Sequence, residues 1–302
     1  MYDASIVIPT YNQKDRLELV LYSINELNYD KNKFEVIVVD DCSDDGTEEC
    51  IKSINKKYEF KYIKHKKNEG RSSTRNDGAM LAEGRIIIFL DGDRIPCKDY
   101  IKEHIKAHYN RKNTIVIGEC IEYFDEKFKE KKEIIINEIQ RGFAGVVKRC
   151  RYFNYSEIVN KIYDSRGNTK SKIAWITLMS GNFSISKKDF EKTNGFETGF
   201  KKWGFENFEY GYRLLKNNYC FHLSRNAYNI HIFHRANRKV EENKESLLYF
   251  YRKYEDETIL KLNDFLNGKI SLQQLGGVDN CSDNDTSEDF FVERRFGSRV
   301  LL

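Results

Sequence analysis

The chain has 302 residues, 40% of them hydrophobic and 32% charged, with 51 Lys and Arg against 47 Asp and Glu. That length can bury a large core in one or two domains, and a formal net charge of +4, mixed in sign along the chain, is too mild for a nucleic-acid binder. No stretch approaches the roughly 20 apolar residues that a bilayer span needs, the N-terminus has no signal-peptide layout, and seven Cys without a Cys-x-x-Cys fit reduced cytosolic thiols better than a disulfide framework.

The first third alternates strand and helix. The apolar run at Ser5-Ile6-Val7-Ile8 predicts a strand. Leu17, Leu19, Val20, Leu21, Ile24 and Leu27 recur at helical spacing and predict a helix over 14–27. Strand 34–39, helix 47–54, strand 60–63, helix 71–82, strand 85–90, helix 100–109 and strand 114–117 follow, with Gly84 placed to end the third helix. Such alternation implies an α/β fold with a mostly parallel sheet and right-handed crossovers. The middle differs. Residues 128–150 are charged and helical in pattern, which predicts an insertion packed beside the sheet. Residues 152–172 are polar, with 165–168 read as a loop; 181–185 reads as a strand, 208–215 as a helix and 246–265 as one long helix. Residues 276–288 are rich in Gly, Asn, Asp and Ser and read as a flexible segment.

Asp91-Gly92-Asp93 is the most informative motif, because it ends the apolar run Ile86-Ile87-Ile88-Phe89-Leu90. Ligands of open α/β sheets bind at the carboxyl ends of strands. Hard cations prefer oxygen ligands and share them with substrate phosphates. Two carboxylates at such a strand end suggest a metal holding a diphosphate, although Asp and Gly also make ordinary turns. Two further strand ends converge on the same edge: Pro9-Thr10-Tyr11-Asn12, and the run from Asp40 to Thr47. Asp45 and Thr47 read as a turn and helix cap. Asp40 and Asp41 need more, since adjacent carboxylates repel without a cationic or hydrogen-donating neighbour. Cys42 and Cys220 lie near these segments and read as structural.

These segments, with Asn68-Glu69-Gly70 through Arg75-Asn76, resemble glycosyltransferase family 2 in content and order over about residues 4–240. The resemblance implies a GT-A (Rossmann-like) fold, its mostly parallel sheet flanked by helices. Residues 1–119 would be the nucleotide-sugar half and 120–240 the acceptor side. Residues 241–302 would form a helical C-terminal extension and a flexible tail. By the same resemblance Pro9, Thr10, Tyr11 and Asp41 would contact the nucleoside, with Asp41 near the base. Arg71 or Arg75 would lie near the base or phosphates, and Asp91 and Gly92 near the ribose and metal. Asp93 would be a direct ligand of Mn²⁺ or Mg²⁺.

The second half agrees with this resemblance. Ser180-Gly181-Asn182-Phe183-Ser184 is similar to a sugar- and acceptor-facing strand, and Trp203-Gly204-Phe205-Glu206-Asn207 to the Trp-Gly-x-Glu-Asp segment that opens the acceptor-side helix. This implies donor contacts at Gly181, Asn182 and Trp203. It also implies a later His ligand, His231, with His234 as competitor. Asn207 stands where inverting members carry an Asp base, and an amide cannot serve as a base at neutral pH. Glu206 is then the first candidate for general base and Glu209 the second. The donor expected from this resemblance is a UDP-linked nucleotide-diphosphate sugar. The acceptor would be a glycan, lipid-linked saccharide or peptide hydroxyl. The expected location is the cytoplasm, with peripheral association at the inner membrane face left open.

Overall fold

The first strand, β1 (Ala4–Thr10), is buried along its whole length, as is β2 (Phe34–Asp40). Continuous apolar, β-branched runs of this kind suit strands covered on both faces. Side-chain alternation then sorts them. Ile6, Ile8, Val36, Val38, Ile88 and Leu90 enter one core, with Leu17, Val20, Leu21, Ile24, Ile51, Tyr100 and Ile101. Val7, Ile37, Val39, Ile87 and Phe89 enter the other, with Ala79, Ala82, Phe183, Phe196, Phe208 and Tyr210. The result is three layers. The structure is a computed structural model that describes residues 1–125, 127–152, 154–200, 204–234 and 240–276.

In chain order the remaining elements of the first half are α1 (Lys14–Asn25), α2 (Thr47–Ser53), β3 (Glu59–Lys64), α3 (Arg71–Met80), β4 (Ile86–Leu90), β5 (Arg94–Pro96) and α4 (Tyr100–His108). They are followed by β6 (Thr114–Tyr123), α5 (Lys132–Gln140), α6 (Ala144–Val147), β7 (Cys150–Tyr152) and α7 (Asn154–Val159). The chain then runs through β8 (Asn182–Ser186), α8 (Lys187–Lys192), α9 (Glu206–Lys216) and β9 (Cys220–Ile232). It continues through α10 (Val240–Tyr254), α11 (Glu257–Leu266) and α12 (Leu272–Gly276).

The strand order is β3-β2-β1-β4-β8-β6-β9-β5, with β7 added beside β6. Strands β3, β2, β1 and β4 are parallel, and β6 is parallel to β9; β8, β5 and β7 pair antiparallel with their neighbours. In-register pairing of Thr10 with Asp40 brings the ends of β1 and β2 side by side. Pairing of Val7 with Phe89 brings the end of β4 next to them. Gly78 lets α3 lie close on β1, since a β-carbon there would collide with Val7. The two halves share one core: Phe89 stacks on Phe183 with ring centroids 4.8 Å apart and meets Phe190 and Phe196 edgewise or tilted. Truncating such a ring to Ala costs about 3–5 kcal/mol.

Several expectations are corrected. The strand expected over 114–117 continues to Tyr123, past a register irregularity between Gly118 and Cys120. The helix expected over 128–150 is interrupted after α5, where Gly142 and Phe143 take positive φ of 113° and 69°. Its apolar face, Ile135, Ile136, Ile139, Phe143 and Val146, packs on Tyr123, Ile230 and Ile232. The long helix expected over 246–265 is two helices. Glu255 at φ 51° ends α10, and the Asp256 carboxylate caps α11 by accepting the Thr258 N–H at 2.9 Å. These C-terminal helices bury Leu247, Phe250, Ile259, Leu262 and Phe265 in the same core as the sheet. Strands β5, β7 and β9 were not anticipated. The segment 276–288, expected to be flexible, lies outside the described residues from 277 onward.

Candidate active site

The strand ends open onto a cleft of about 340 Å³ lined by Pro9, Thr10, Tyr11, Asp41, Gly70, Arg71, Arg75, Asp91, Asp93, Gly204 and Glu206, among others. At one end stands Asp41, directly after β2. Its Oδ1 accepts the Glu69 N–H at 2.7 Å and faces His65 Nδ1 at 2.9 Å, and its Oδ2 accepts the Gly70 N–H at 2.9 Å. Gly70 at φ 88° turns this loop into α3, whose first turn carries Arg71. The far nitrogen of His65 lies 3.1 Å from Asp77. Asp41 is thus fixed by His65 and by the loop that leads into α3. Its neighbour Asp40 is separately held by the Ser43 N–H at 2.8 Å and the Tyr62 hydroxyl at 2.9 Å. These donors answer the repulsion between adjacent carboxylates. Thr10 sits beside Asp41, and its buried hydroxyl makes no hydrogen bond among the described residues. Tyr11 is half exposed at the rim.

The middle of the cleft is a buried ion network. Arg75, 2% exposed, donates to Asp91 at 2.9 Å and reaches Glu206 at 3.5 Å. Arg94 lies 3.8 Å from Asp91 and 4.0 Å from Asp93, and donates to the Cys120 sulfur at 2.7 Å. Burial works against the Arg94 charge, but Cys120, Asp93 and Asp91 raise its pKa above the ordinary value. Gly181 lies over this pair, where any β-carbon would collide with Arg94 and Asp91. At Gly92 a β-carbon would meet the end of the flexible Gln13 side chain at 2.6 Å, a contact that the glutamine can relieve by moving.

At the other end Asp93, His231 and His234 each offer a ligand atom within 4.8 Å of the others. Asp93 Oδ2 lies 3.1 Å from His234 Nε2 and 3.6 Å from His231 Nε2. Its Oδ1 is buried with no hydrogen bond among the described residues. Burial would raise the Asp93 pKa, yet the two histidines and Arg94 hold it well below the usual carboxylate range. Burial likewise opposes the charge on His231, but Asp93 and Glu122 raise its pKa above the ordinary value. His231 Nδ1 faces the buried Glu122 carboxylate at 3.1 Å, because Glu122 and His231 are register partners of β6 and β9. One carboxylate and two imidazoles, one of them oriented by a second carboxylate, suit a divalent transition metal.

Glu206 opens α9 and lines the cleft while 5% exposed. Other expected site residues lie elsewhere. Asn182 is fully buried: its amide donates to the Glu119 and Ala227 carbonyls, and its oxygen receives the Tyr100 hydroxyl. That position corrects the expected donor contact. Glu209 does not line the cleft; Arg213 and Lys253 hold its buried carboxylate at 3.0 Å, and the Tyr254 hydroxyl donates to it. Asp91 stands apart from the three clustered ligands and pairs with arginine instead. Asn207 donates to the Leu178 carbonyl at 2.8 Å. Trp203 lies outside the described residues. Sequence reasoning missed His65, Asp77 and Glu122. Glu122 was hidden because the strand that presents it was expected to end five residues earlier.

Residues 5–193 match glycosyl transferase family 2. The chain belongs to that family. Residues 162–236 of this family-2 chain also match the N-terminal domain of galactosyltransferase. It is 29% identical over 290 residues to the uncharacterized glycosyltransferase YfnE of Bacillus subtilis, covering 88% of this chain and 74% of that one. It spans 54% and 58% of the length of two validoxylamine A glucosyltransferases of Streptomyces hygroscopicus that it matches, and about a third or less of other curated glycosyltransferases. Among solved structures, S. aureus TarS 1-349 in complex with UDP-GlcNAc superposes with TM-score 0.63 at 18% identity, over 91% of this chain and 77% of that one. GalNAc-T7 with UDP, GalNAc and Mn²⁺ gives TM-score 0.61 at 16% identity, over 89% and 50%. These likenesses establish the GT-A fold.

Proposed function

We propose that this glycosyltransferase moves a sugar from a UDP-linked donor to an acceptor hydroxyl with inversion, using a divalent cation held by Asp93, His231 and His234. The observation that carries the reading is the buried Asp93 Oδ1, which accepts no hydrogen bond among the described residues and stands beside two imidazoles at the end of a nucleotide-sized cleft. An unsatisfied buried acceptor costs about 1–3 kcal/mol, and a bound cation removes that penalty. The related fold seen with UDP-GlcNAc in TarS and with UDP and Mn²⁺ in GalNAc-T7 supports donor and metal. Mn²⁺ fits the mixed imidazole and carboxylate set better than Mg²⁺ does. When bound, the cation offsets the charge of the departing diphosphate.

The chain's own residues do the rest. Thr10 and the remaining acceptor position of Asp41 bind the nucleoside, and an acceptor-only carboxylate selects a base that presents an N–H. Arg75 holds Asp91 and Glu206 at a fixed separation across the cleft. Glu206 takes the proton of the attacking hydroxyl as that oxygen bonds to the anomeric carbon and the bond to the diphosphate breaks. The acceptor is a bacterial surface glycan or lipid-linked saccharide, met at the cytoplasmic face of the membrane. No helix among the described residues is long and apolar enough to cross a membrane. UDP titrated calorimetrically with and without EDTA tests the metal, and a panel of sugar nucleotides scored for hydrolysis tests the donor. Unchanged UDP affinity and unchanged hydrolysis under chelation contradict the proposal. A retained anomeric configuration in the product overturns the role given to Glu206.

A further inference from the structure

Side-chain alternation divides β6 and β9 into two faces. Tyr123, Ile230 and Ile232 enter the core under α5 and α6, while Glu122 and His231 point to the opposite side, toward Asp93. Phe124 and Phe233 stand two residues beyond Glu122 and His231 and continue that second face. Their rings lie 4.5 Å apart, tilted by 31°, and Phe124, the residue after the mostly buried β6, is 40% exposed. The Phe233 N–H donates to the Tyr123 carbonyl at 3.1 Å, so the ring's backbone is fixed. Arg151, the register partner of Glu122 across β7, carries an exposed guanidinium 6.0 Å from the Phe124 ring centre. The nearby acids already have partners. Glu122 faces His231, and Asp125 accepts from Lys131 at 2.6 Å.

The order of strands gives this patch its place. Strand β5 pairs with β9, β9 with β6 and β6 with β7, so that Arg94, His231, Glu122 and Arg151 stand in one row across these four strands. The aromatic pair therefore adjoins the Asp93, His231 and His234 cluster, with Phe233 between the two histidines in the chain. We infer that Phe124, Phe233 and Arg151 form an acceptor subsite for an acidic saccharide. The apolar face of a pyranose ring lies against the phenyl pair, and a carboxylate or phosphate substituent pairs with Arg151. The sugar supplies axial C–H groups to the negative ring faces, and Arg forms directed, charge-assisted hydrogen bonds with such anions. This inference rests on the donor and metal reading given above and adds to it the class of acceptor.

The test uses defined probes: methyl β-glucuronide, glucose 6-phosphate and methyl β-glucoside, each observed by saturation-transfer difference NMR with the full chain, UDP and Mg²⁺. The wild type binds both acidic sugars more tightly than the neutral one, and the stronger of the two acidic sugars identifies carboxylate or phosphate as the anion. Phe124→Ala lowers the transfer signal of all three probes about fivefold or more. Arg151→Gln abolishes the preference for acidic sugars, about tenfold for a lost charge-assisted pair, and leaves the neutral sugar unchanged. Calorimetric UDP affinity stays at the wild-type value in both variants, which also reports that they fold. A wild type that binds UDP but none of the three sugars, or a Phe124→Ala variant that binds them normally, overturns the subsite. A wild type that does not bind UDP overturns the reading on which the subsite rests.

Discussion

Asp41 and Asp93 mark the two ends of one cleft, and the protein treats them in opposite ways. Both are buried and both follow a buried strand. Asp41 receives two backbone N–H groups and a histidine from elsewhere in the chain. Asp93 has two histidines on one oxygen and no hydrogen bond among the described residues on the other. The first end is organised by the chain itself, whereas the second leaves one carboxylate oxygen without a hydrogen bond among the described residues. A preformed end gives recognition at low ordering cost, whereas an incomplete one couples affinity to an ion.

Breaking the incomplete end has the largest expected effect. Asp93→Ala abolishes sugar transfer and removes the EDTA sensitivity of UDP binding, because two imidazoles alone hold the cation poorly. Circular dichroism matching the wild type checks that the fold survives the loss of the Asp93 contacts to His231, His234 and Arg94. Transfer that persists in this variant, still inhibited by EDTA, moves the metal elsewhere.

Glu206 belongs to neither end and sharpens the contrast. It is tied through Arg75 to Asp91, so its carboxylate is held in position without being enclosed by donors as Asp41 is. Glu206→Gln keeps the side chain's size and removes its basicity. Turnover on the true acceptor falls about 10²- to 10⁴-fold, while UDP affinity is nearly unchanged, because a base acts in the transition state. Asn207→Asp puts an acceptor where the amide donates to the Leu178 carbonyl, so it costs about 1–3 kcal/mol of stability, read as a lowered melting temperature. Near-full turnover in Glu206→Gln places the base elsewhere.

A smaller effect comes from behind the metal ligands. Glu122 touches no ligand position in the cluster and orients His231 through Nδ1. Glu122→Gln lowers Mn²⁺ affinity about 10- to 100-fold, the usual range for a group behind a metal ligand. UDP affinity measured in EDTA stays constant, which a general loss of structure would not allow. Unchanged Mn²⁺ affinity shows that the contact is packing only.

The two ends also differed in how readable they were. The preformed end lies in the parallel βαβ run, where apolar strands end in polar residues and local sequence fixes the place of each side chain; Thr10, Asp41, Asp91 and Asp93 were legible for that reason. His65 was not, because its role depends on β3 lying beside β2 and on Asp77 one helix later. The second end is assembled over long sequence distances. His231 meets Glu122 only through pairing of β6 with β9, across an irregularity that no local pattern announces. Asn182 and Glu209 misled for a related reason. Polar residues in a strand and a helix next to the cleft look like ligand contacts until the tertiary fold supplies buried partners for them. The break at Gly142-Phe143 was marked by its glycine, whereas Glu255 at positive φ gave no such sign.

An effect of comparable size belongs to the preformed end, and it separates two roles of one carboxylate. Asp41→Ala removes an acceptor for the base and also releases the Glu69 and Gly70 N–H groups at the start of α3. UDP affinity falls by about 1–3 kcal/mol, the range for hydrogen bonds to a charged group, and remains sensitive to EDTA. His65→Gln isolates the second role, because it leaves the carboxylate in place and breaks one side of the bridge to Asp77. If Asp41 acts by direct contact, His65→Gln weakens UDP less than Asp41→Ala does, and the preference for UDP over CDP stays, since an acceptor still faces the base. If Asp41 acts by holding the loop, the two variants weaken UDP and CDP alike and by similar factors. UDP affinity equal to wild type in Asp41→Ala shows that this end of the cleft does not hold the nucleoside, whatever holds the metal at the other.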